Sequence, residues 1–312
     1  MLKPIRLIPV KPNLAFLPRR RLFFAFSGVL MLASILLYGI AGLNFGIDFK
    51  GGILIELRTP QAADIGGLRR TLSGLGLGEV ALQEFGQPTD VLIRVQKQEG
   101  GEKAQIAAVE KVKAALGDGV EYRRTEFVGP KVGAELIEAG VTAVVLAILA
   151  IMVYVWFRFE WQFGVGAVVA LLHDVITTIG VFALLQIEFN LSTVAAILTI
   201  AGYSINDTVV VYDRVRENLR KYKRTALPEL LNLSVNETLS RTVMTSLTTL
   251  LALLALYFFG GEVIRGFSFA MIWGVVIGTY SSICIAVPLL LVTNLKRGGD
   301  AGAADAPAGD AA

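Results

Sequence analysis

From Leu22 to Ala41 the chain runs twenty residues without a charged side chain. As a helix, at roughly 1.5 Å per residue, such a run is about 30 Å long, the thickness of a bilayer's hydrocarbon core. Lipid offers no partner to an open backbone N–H or C=O, so a run of this kind is read as a helix. Five further apolar runs follow, at 139–157, 163–185, 191–212, 236–259 and 267–292. Hydrophobic residues are 54% of the 312, and the mean hydropathy is +0.62, too apolar for a soluble domain of this length. The sequence therefore predicts a polytopic α-helical membrane protein with six transmembrane helices.

Residues 1–21 carry Lys3, Arg6, Lys11, Arg19, Arg20 and Arg21 and no acid. A cleaved leader would have a shorter apolar core and a cleavage site, so 22–42 is read as a retained first span. Residues 43–138 are different in kind, with frequent charges and short periods. Gly52 to Leu57 alternates like a strand; Ala63 to Leu75 has Leu68, Leu72 and Leu75 on one helical face. Val80 to Phe85 and Asp90 to Val95 read as strands around the turn at Gly86-Gln87-Pro88. Lys103 to Leu116 is an amphipathic helix with Ile106, Val109, Val112 and Leu116 as its stripe, and Val120 to Val128 is a last strand before Gly129-Pro130 breaks the chain. The order βαββαβ predicts one small α+β ferredoxin-like domain with no catalytic constellation.

Lysine and arginine fix the orientation. With six spans, the N-terminal segment, Arg158, the basic loop 213–235 and Lys296-Arg297 share one side, which is then cytoplasmic. The domain 43–138 lies outside, and 293–312, closing in Gly, Ala, Asp and Pro, reads as a disordered cytoplasmic tail. Ser234-Val235-Asn236-Glu237 has the capping-box pattern and is taken as the start of the fifth span.

Inside the fourth span stands Gly202-Tyr203-Ser204-Ile205-Asn206-Asp207-Thr208. A carboxylate at membrane depth costs roughly 2.5–3.5 kcal/mol, so it calls for a task and a partner. Asp207 precedes Asp213 by six residues, roughly 9 Å of helix, and Arg241 stands at a similar depth on the rising fifth span. Two readings are open: a switchable proton site formed by Asp207, Arg241 and the adjacent Asn206, or a static ion pair that sets helix register. Arg241, Thr245, Thr248 and Thr249 extend a polar stripe on one face. His173 and Asp174, in the middle of the third span, are either a second relay or a hydrogen-bonded helix clamp. Gly274, Gly278 and Ser282 repeat every fourth residue as a packing face, and Pro288 marks a kink. The single cysteine, Cys284, excludes an intrachain disulfide. The chain has no phosphate-cradling loop, nucleophile elbow or metal-binding helix. No enzyme, cofactor or metal is predicted, and any work done draws on an ion gradient.

Phe45-Gly46-Ile47-Asp48-Phe49-Lys50-Gly51-Gly52, directly after the first span, resembles the F-G-x-D-F-x-G-G signature of the SecD/SecF family. Gly129-Pro130 after Val128, Leu172-His173-Asp174-Val175-Ile176 and the run from Gly202 to Asn218 are similar to later landmarks of its SecF members, in the same order. The resemblance implies half of an RND-superfamily transporter, with Asp207, Arg241 and Thr245 on a proton path. It implies a bacterial inner-membrane protein, paired with SecD as a heterodimer beside the SecYEG translocon, with YajC and YidC as further partners. Together they use the proton (or sodium) motive force to complete preprotein export after SecA-driven translocation. Two other classes stand beside it: an RND-type exporter of lipid or small molecules, and a passive assembly factor of the translocon. Read from the residues themselves, Phe45, Gly46, Asp48, Gly51 and Gly52 form a joint between span and domain, with Asp48 capping the backbone that follows.

Overall fold

The computed structural model describes residues 12–85, 87–128, 130–260, 262–293 and 295. Most of the basic N-terminal segment, Gly86, Gly129, Lys296, Arg297 and the expected tail lie outside the described residues, as does the Pro130 side chain.

Six described helices are long and apolar enough to cross a membrane. α1 (Arg20–Ala41) is followed by the short α2 (Ile47–Lys50) and then by the sheet domain, which holds α3 (Ile65–Ser73) and α4 (Glu102–Leu116). α5 (Pro130–Arg158), α6 (Trp161–Leu185), α7 (Leu191–Lys221) and α8 (Leu227–Phe259) come next. α9 (Glu262–Ser281) passes through a π-helical turn, Ser282–Ala286, into α10 (Val287–Val292). The protein is thus a multi-pass membrane protein.

The four strands β1 (Gly52–Arg58), β2 (Val80–Phe85), β3 (Gln87–Gln96) and β4 (Glu121–Val128) form one antiparallel sheet ordered β2-β3-β1-β4, the ferredoxin-like arrangement. Alternation places Ile53, Ile55 and Leu57 of β1 and Val91, Ile93 and Val95 of β3 on one buried face. Leu72 of α3 and Val109 and Val112 of α4 close that core. Ile106, expected in the stripe, is 48% exposed; Gln105 and Ala108 turn inward instead. Gln105 gains its place by donating to the Gln98 carbonyl at 2.9 Å.

The joint between domain and helices is built from the glycine-rich segment. Gly52 lies so close to the Val95 carbonyl that a Cβ would collide with it. Gly51 has a positive φ of 76°. Phe189 N–H donates to Asn44 O at 2.7 Å and Gly46 N–H to Phe189 O at 2.9 Å, so the segment pairs with the turn between α6 and α7. Phe45, Phe49 and Phe189 stack above it, ring to ring at 5.7–6.0 Å. Asp48 does not cap its own backbone. Its Oδ2 accepts from Leu191 N–H at 3.0 Å, an open donor at the start of α7.

The expected loop 213–235 is a pair of helix extensions. α7 runs on to Lys221 and α8 starts at Leu227, with Pro228 in its first turn. Leu230, Leu231 and Val235 are fully buried, packing that draws the segment into helix. Ser234 consequently sits inside α8, where its hydroxyl donates to Leu230 O at 2.8 Å and accepts from Asn218 Nδ2 at 3.0 Å. At this end Arg158 pairs with Asp213 at 2.8 Å and Arg214 with Glu237 at 2.7 Å. Basic residues thus collect at the pole opposite the sheet.

Candidate functional site

α6, α7 and α9 approach closely because α9 presents small residues to α7. A Cβ on Gly274 would run into the Ile200 side chain. One turn on, a Cβ on Gly278 would stand 3.2 Å from Ser204 Cβ and 3.5 Å from Asp174 Oδ2. Ser282, the third member of the repeat, is not a packing residue alone: its hydroxyl bonds the Thr208 hydroxyl at 2.8 Å.

Asp174 is the centre of a fully buried polar layer. Its Oδ1 lies 3.0 Å from His173 Nδ1, and its Oδ2 accepts from Ser204 Oγ at 2.6 Å and Ser281 Oγ at 2.8 Å. Thr178 Oγ1 donates to the Asp174 carbonyl at 2.7 Å. His173 Nε2 is buried with no hydrogen-bond partner, and the ring lies 6.0 Å from that of Tyr280. Tyr280 carries the layer to α1, with its hydroxyl 2.9 Å from Ser27 Oγ. The layer meets the α9 helix where it turns π-helical. Pro288 has no N–H to offer the turn before it, and the Ala286 carbonyl accepts from the Tyr212 hydroxyl at 3.1 Å. The irregularity associated with Pro288 is this π-helical turn, Ser282–Ala286, ahead of the proline.

Asp207 stands apart from this layer. It is only 4% exposed, and its Oδ2 has no hydrogen-bond partner. No ion pair joins it to Arg241 among the described residues, and Arg241 is exposed. Asn206 is exposed on the same face of the bundle's surface as its neighbour Gly202 is open. The threonine stripe serves its own helix: Thr245 Oγ1 donates to Arg241 O at 2.9 Å and Thr249 Oγ1 to Thr245 O at 2.9 Å. Tyr203 reaches across to Thr249 at 3.5 Å.

Two α8 residues that the stripe omitted face the bundle. Ser246 bonds Thr279 of α9 at 2.6 Å, and Thr242 is buried with an unpartnered hydroxyl. Their four-residue spacing, one position out of phase with Arg241 and Thr245, was the available signal. Ser281 gave none, because only the three-helix packing brings it to Asp174. The described residues contain no cluster of three or more metal-ligating side chains. Chemically, the bundle holds a satisfied carboxylate that ties three helices and an unsatisfied one near its open face.

Residues 108–296 match the family described as Protein export membrane protein SecD/SecF, C-terminal, and residues 39–63 match the SecD/SecF GG Motif. A protein translocase subunit SecF of Rickettsia felis is 51% identical over 291 residues, covering 92% of this chain and 94% of the relative. That of Rickettsia bellii is 49% identical over 298 residues, covering 94% and 98%. The crystal structure of SecDF from Thermus thermophilus, a translocon-associated membrane protein, superposes with a TM-score of 0.76 at 38% identity over 94% of this chain. A SecDF structure in a super-membrane-facing form gives 0.74 at 37% identity. The chain spans 40% of the length of either SecDF chain.

Proposed function

As a member of the SecD/SecF family of protein-export membrane proteins, to which this chain belongs, the molecule is, we propose, one half of an ion-driven translocation motor. The other half is a SecD-type chain. The observation that carries this reading is Asp207: a buried carboxylate whose Oδ2 has no partner, with the exposed Arg241 and Asn206 near it. A lone carboxylate of this kind is costly in a membrane unless a second chain or a proton completes it. The SecD-type half covers this face, and Asp207 takes up and releases the coupling ion as the halves move.

The assembly sits in the bacterial inner membrane with the basic pole cytoplasmic and the sheet domain outside, following the charge bias. It works on preproteins beside SecYEG, with YajC and YidC as associated subunits. Asp207, Arg241, Asn206 and Thr245 serve the coupling path. Asp174 and His173 are the clamp that holds α6, α7 and α9 in register, since the hydrogen bonds of the Asp174 carboxylate are made within the chain.

The test compares wild type with Asp207→Asn in vesicles holding equal amounts of the assembled complex, with SecA and ATP present. Loss of the gradient-dependent part of translocation, with an ionophore removing the same part from wild type, is the expected result. Equal export by both, slowed equally by the ionophore, would make the chain a passive assembly factor.

A further inference from the structure

A groove of about 440 Å³ opens to the outside of the bundle between α1 and α5, in the size range of small-molecule sites. Tyr38 of α1, Val141 and Val144 of α5 and Ile179 of α6 line it, and the Phe45, Phe49 and Phe189 rings close its end next to the sheet. Ser34, a polar residue of the lining, spends its hydroxyl on the Leu30 carbonyl at 2.8 Å. The slot therefore accepts hydrocarbon. α1 and α5 both lean on α6, and their outer faces are largely exposed, as suits helices that meet lipid.

Phe45 also lines a second, polar pocket, together with Lys50, Glu79, Arg94 and Glu188. Arg94, on β3, is held loosely by Glu188 at 3.8 Å, and its Nε is buried with no hydrogen-bond partner. Lys50 is exposed, with its ammonium 3.5 Å from Asn44 Oδ1. Beside the same aromatic ring the surface thus changes from an apolar slot to a small polar recess of about 20 Å³, lined by the two cations Lys50 and Arg94 and the two acids Glu79 and Glu188. That is the polarity profile of a phospholipid at the membrane interface.

We propose that the α1–α5 groove and the Lys50–Arg94 pocket together hold one phospholipid, its acyl chain in the groove and its phosphate on Arg94 and Lys50. The lipid belongs to the leaflet next to the sheet domain. Glu79 and Glu188 lie in the same pocket and balance the two cations, so an amine-bearing zwitterionic head fits better than an anionic one. The held lipid bridges α1, α5 and β3, and so becomes part of the joint between the external domain and the spans.

The full chain, co-expressed with its partner half, is reconstituted in vesicles of phosphatidylethanolamine and phosphatidylglycerol. A trace of phosphatidylethanolamine carries a diazirine on its acyl chain, and adducts are mapped by mass spectrometry. Adducts on Val141, Val144 and Ile179 are expected at several times the level on Leu36 and Leu146, which are exposed on the same two helices outside the groove. Arg94→Gln with Lys50→Gln lowers the groove adducts at least threefold and leaves Leu36 and Leu146 labelled as before. Val144→Trp, which fills the slot without touching the sheet, does the same from the other end. Groove labelling no higher than at Leu36 and Leu146, or insensitivity to both variants, would each overturn the proposal. Equal labelling by the matching phosphatidylglycerol probe would overturn the choice of head group.

Discussion

Asp174 and Ser204 are joined at 2.6 Å, and that bond ties α6 to α7 three residues before Asp207. Ser204 is one of two serine donors to Asp174 Oδ2, so Ser204→Ala removes one hydrogen bond, destabilises the purified chain by about 1 kcal/mol and lowers its unfolding midpoint. Ser281→Ala, on the other side of the same oxygen, acts similarly, and the double variant costs more than the sum because only then is the buried Oδ2 left without either serine donor. Gradient-dependent translocation survives at a permissive temperature. Translocation lost at an unchanged midpoint would reassign Asp174 from clamp to relay.

The small residues of α9 give a graded series. Gly274→Ala places a methyl group in the Ile200 side chain, an overpacking that costs about 1–3 kcal/mol. Gly28→Ala on α1 meets nothing within 4 Å and adds helix propensity instead, so it is neutral or stabilising by up to about 1 kcal/mol. Thermal unfolding of the two variants in the same detergent separates packing from propensity. Equal midpoints would contradict the close α7–α9 contact.

How far these features could be read in advance depends on the range of the physics behind them. Apolar run length is local, and it announced six spans. Period-two alternation is local too, and Ile53, Ile55 and Leu57 face the core as the pattern implies. Asp207 was legible because one carboxylate contrasts with its own neighbours. The strand order β2-β3-β1-β4 is the one that the βαββαβ sequence of elements implies for a ferredoxin-like domain. Ser281 was not legible, because serines are common in membrane helices and only the meeting of α6, α7 and α9 brings it to Asp174; Ser282 was legible as a packing residue but not as the partner of Thr208. The loop expected at 213–235 failed for a related reason: its charges are conspicuous, while the burial of Leu230 and Leu231 against distant residues is invisible in the sequence. Asp48 misled in the same way, since its donor, Leu191, is far along the chain.

In the sheet domain, Arg58 donates to both oxygens of Asp90, at 2.5 and 2.8 Å, and Arg123 lies 3.9 Å away. The hydrogen bonds from Arg58 hold the Asp90 carboxyl below its ordinary value. The native state then gives up this proton more readily than the unfolded chain. The stabilisation is in full above the unfolded value, about pH 4, and is lost as pH falls through the lowered native value. Amides of β1 and β3, corrected for intrinsic exchange, lose protection on acidification below about pH 4. Asp90→Asn starts less protected and shows a flatter response over the same interval. An unchanged slope would remove Asp90 from the acid sensitivity of the domain.

Thr242 poses the sharpest question in the bundle, because its hydroxyl is buried and unpartnered while Ser246, one turn on, is bonded to Thr279. An unsatisfied buried hydroxyl costs folding energy, and valine has the same shape without it. Thr242→Val is therefore expected to raise stability by up to about 1 kcal/mol, whereas Ser246→Ala lowers it by a similar amount. The functional outcome separates two roles. If Thr242→Val exports as well as wild type, the hydroxyl is an inherited defect of packing. If translocation loses its gradient-dependent part while the unfolding midpoint rises, the hydroxyl finds its partner only in the working motor, at the level of Arg241. On the proposed motor reading the second outcome is expected, since α8 carries Arg241 and Thr242 side by side.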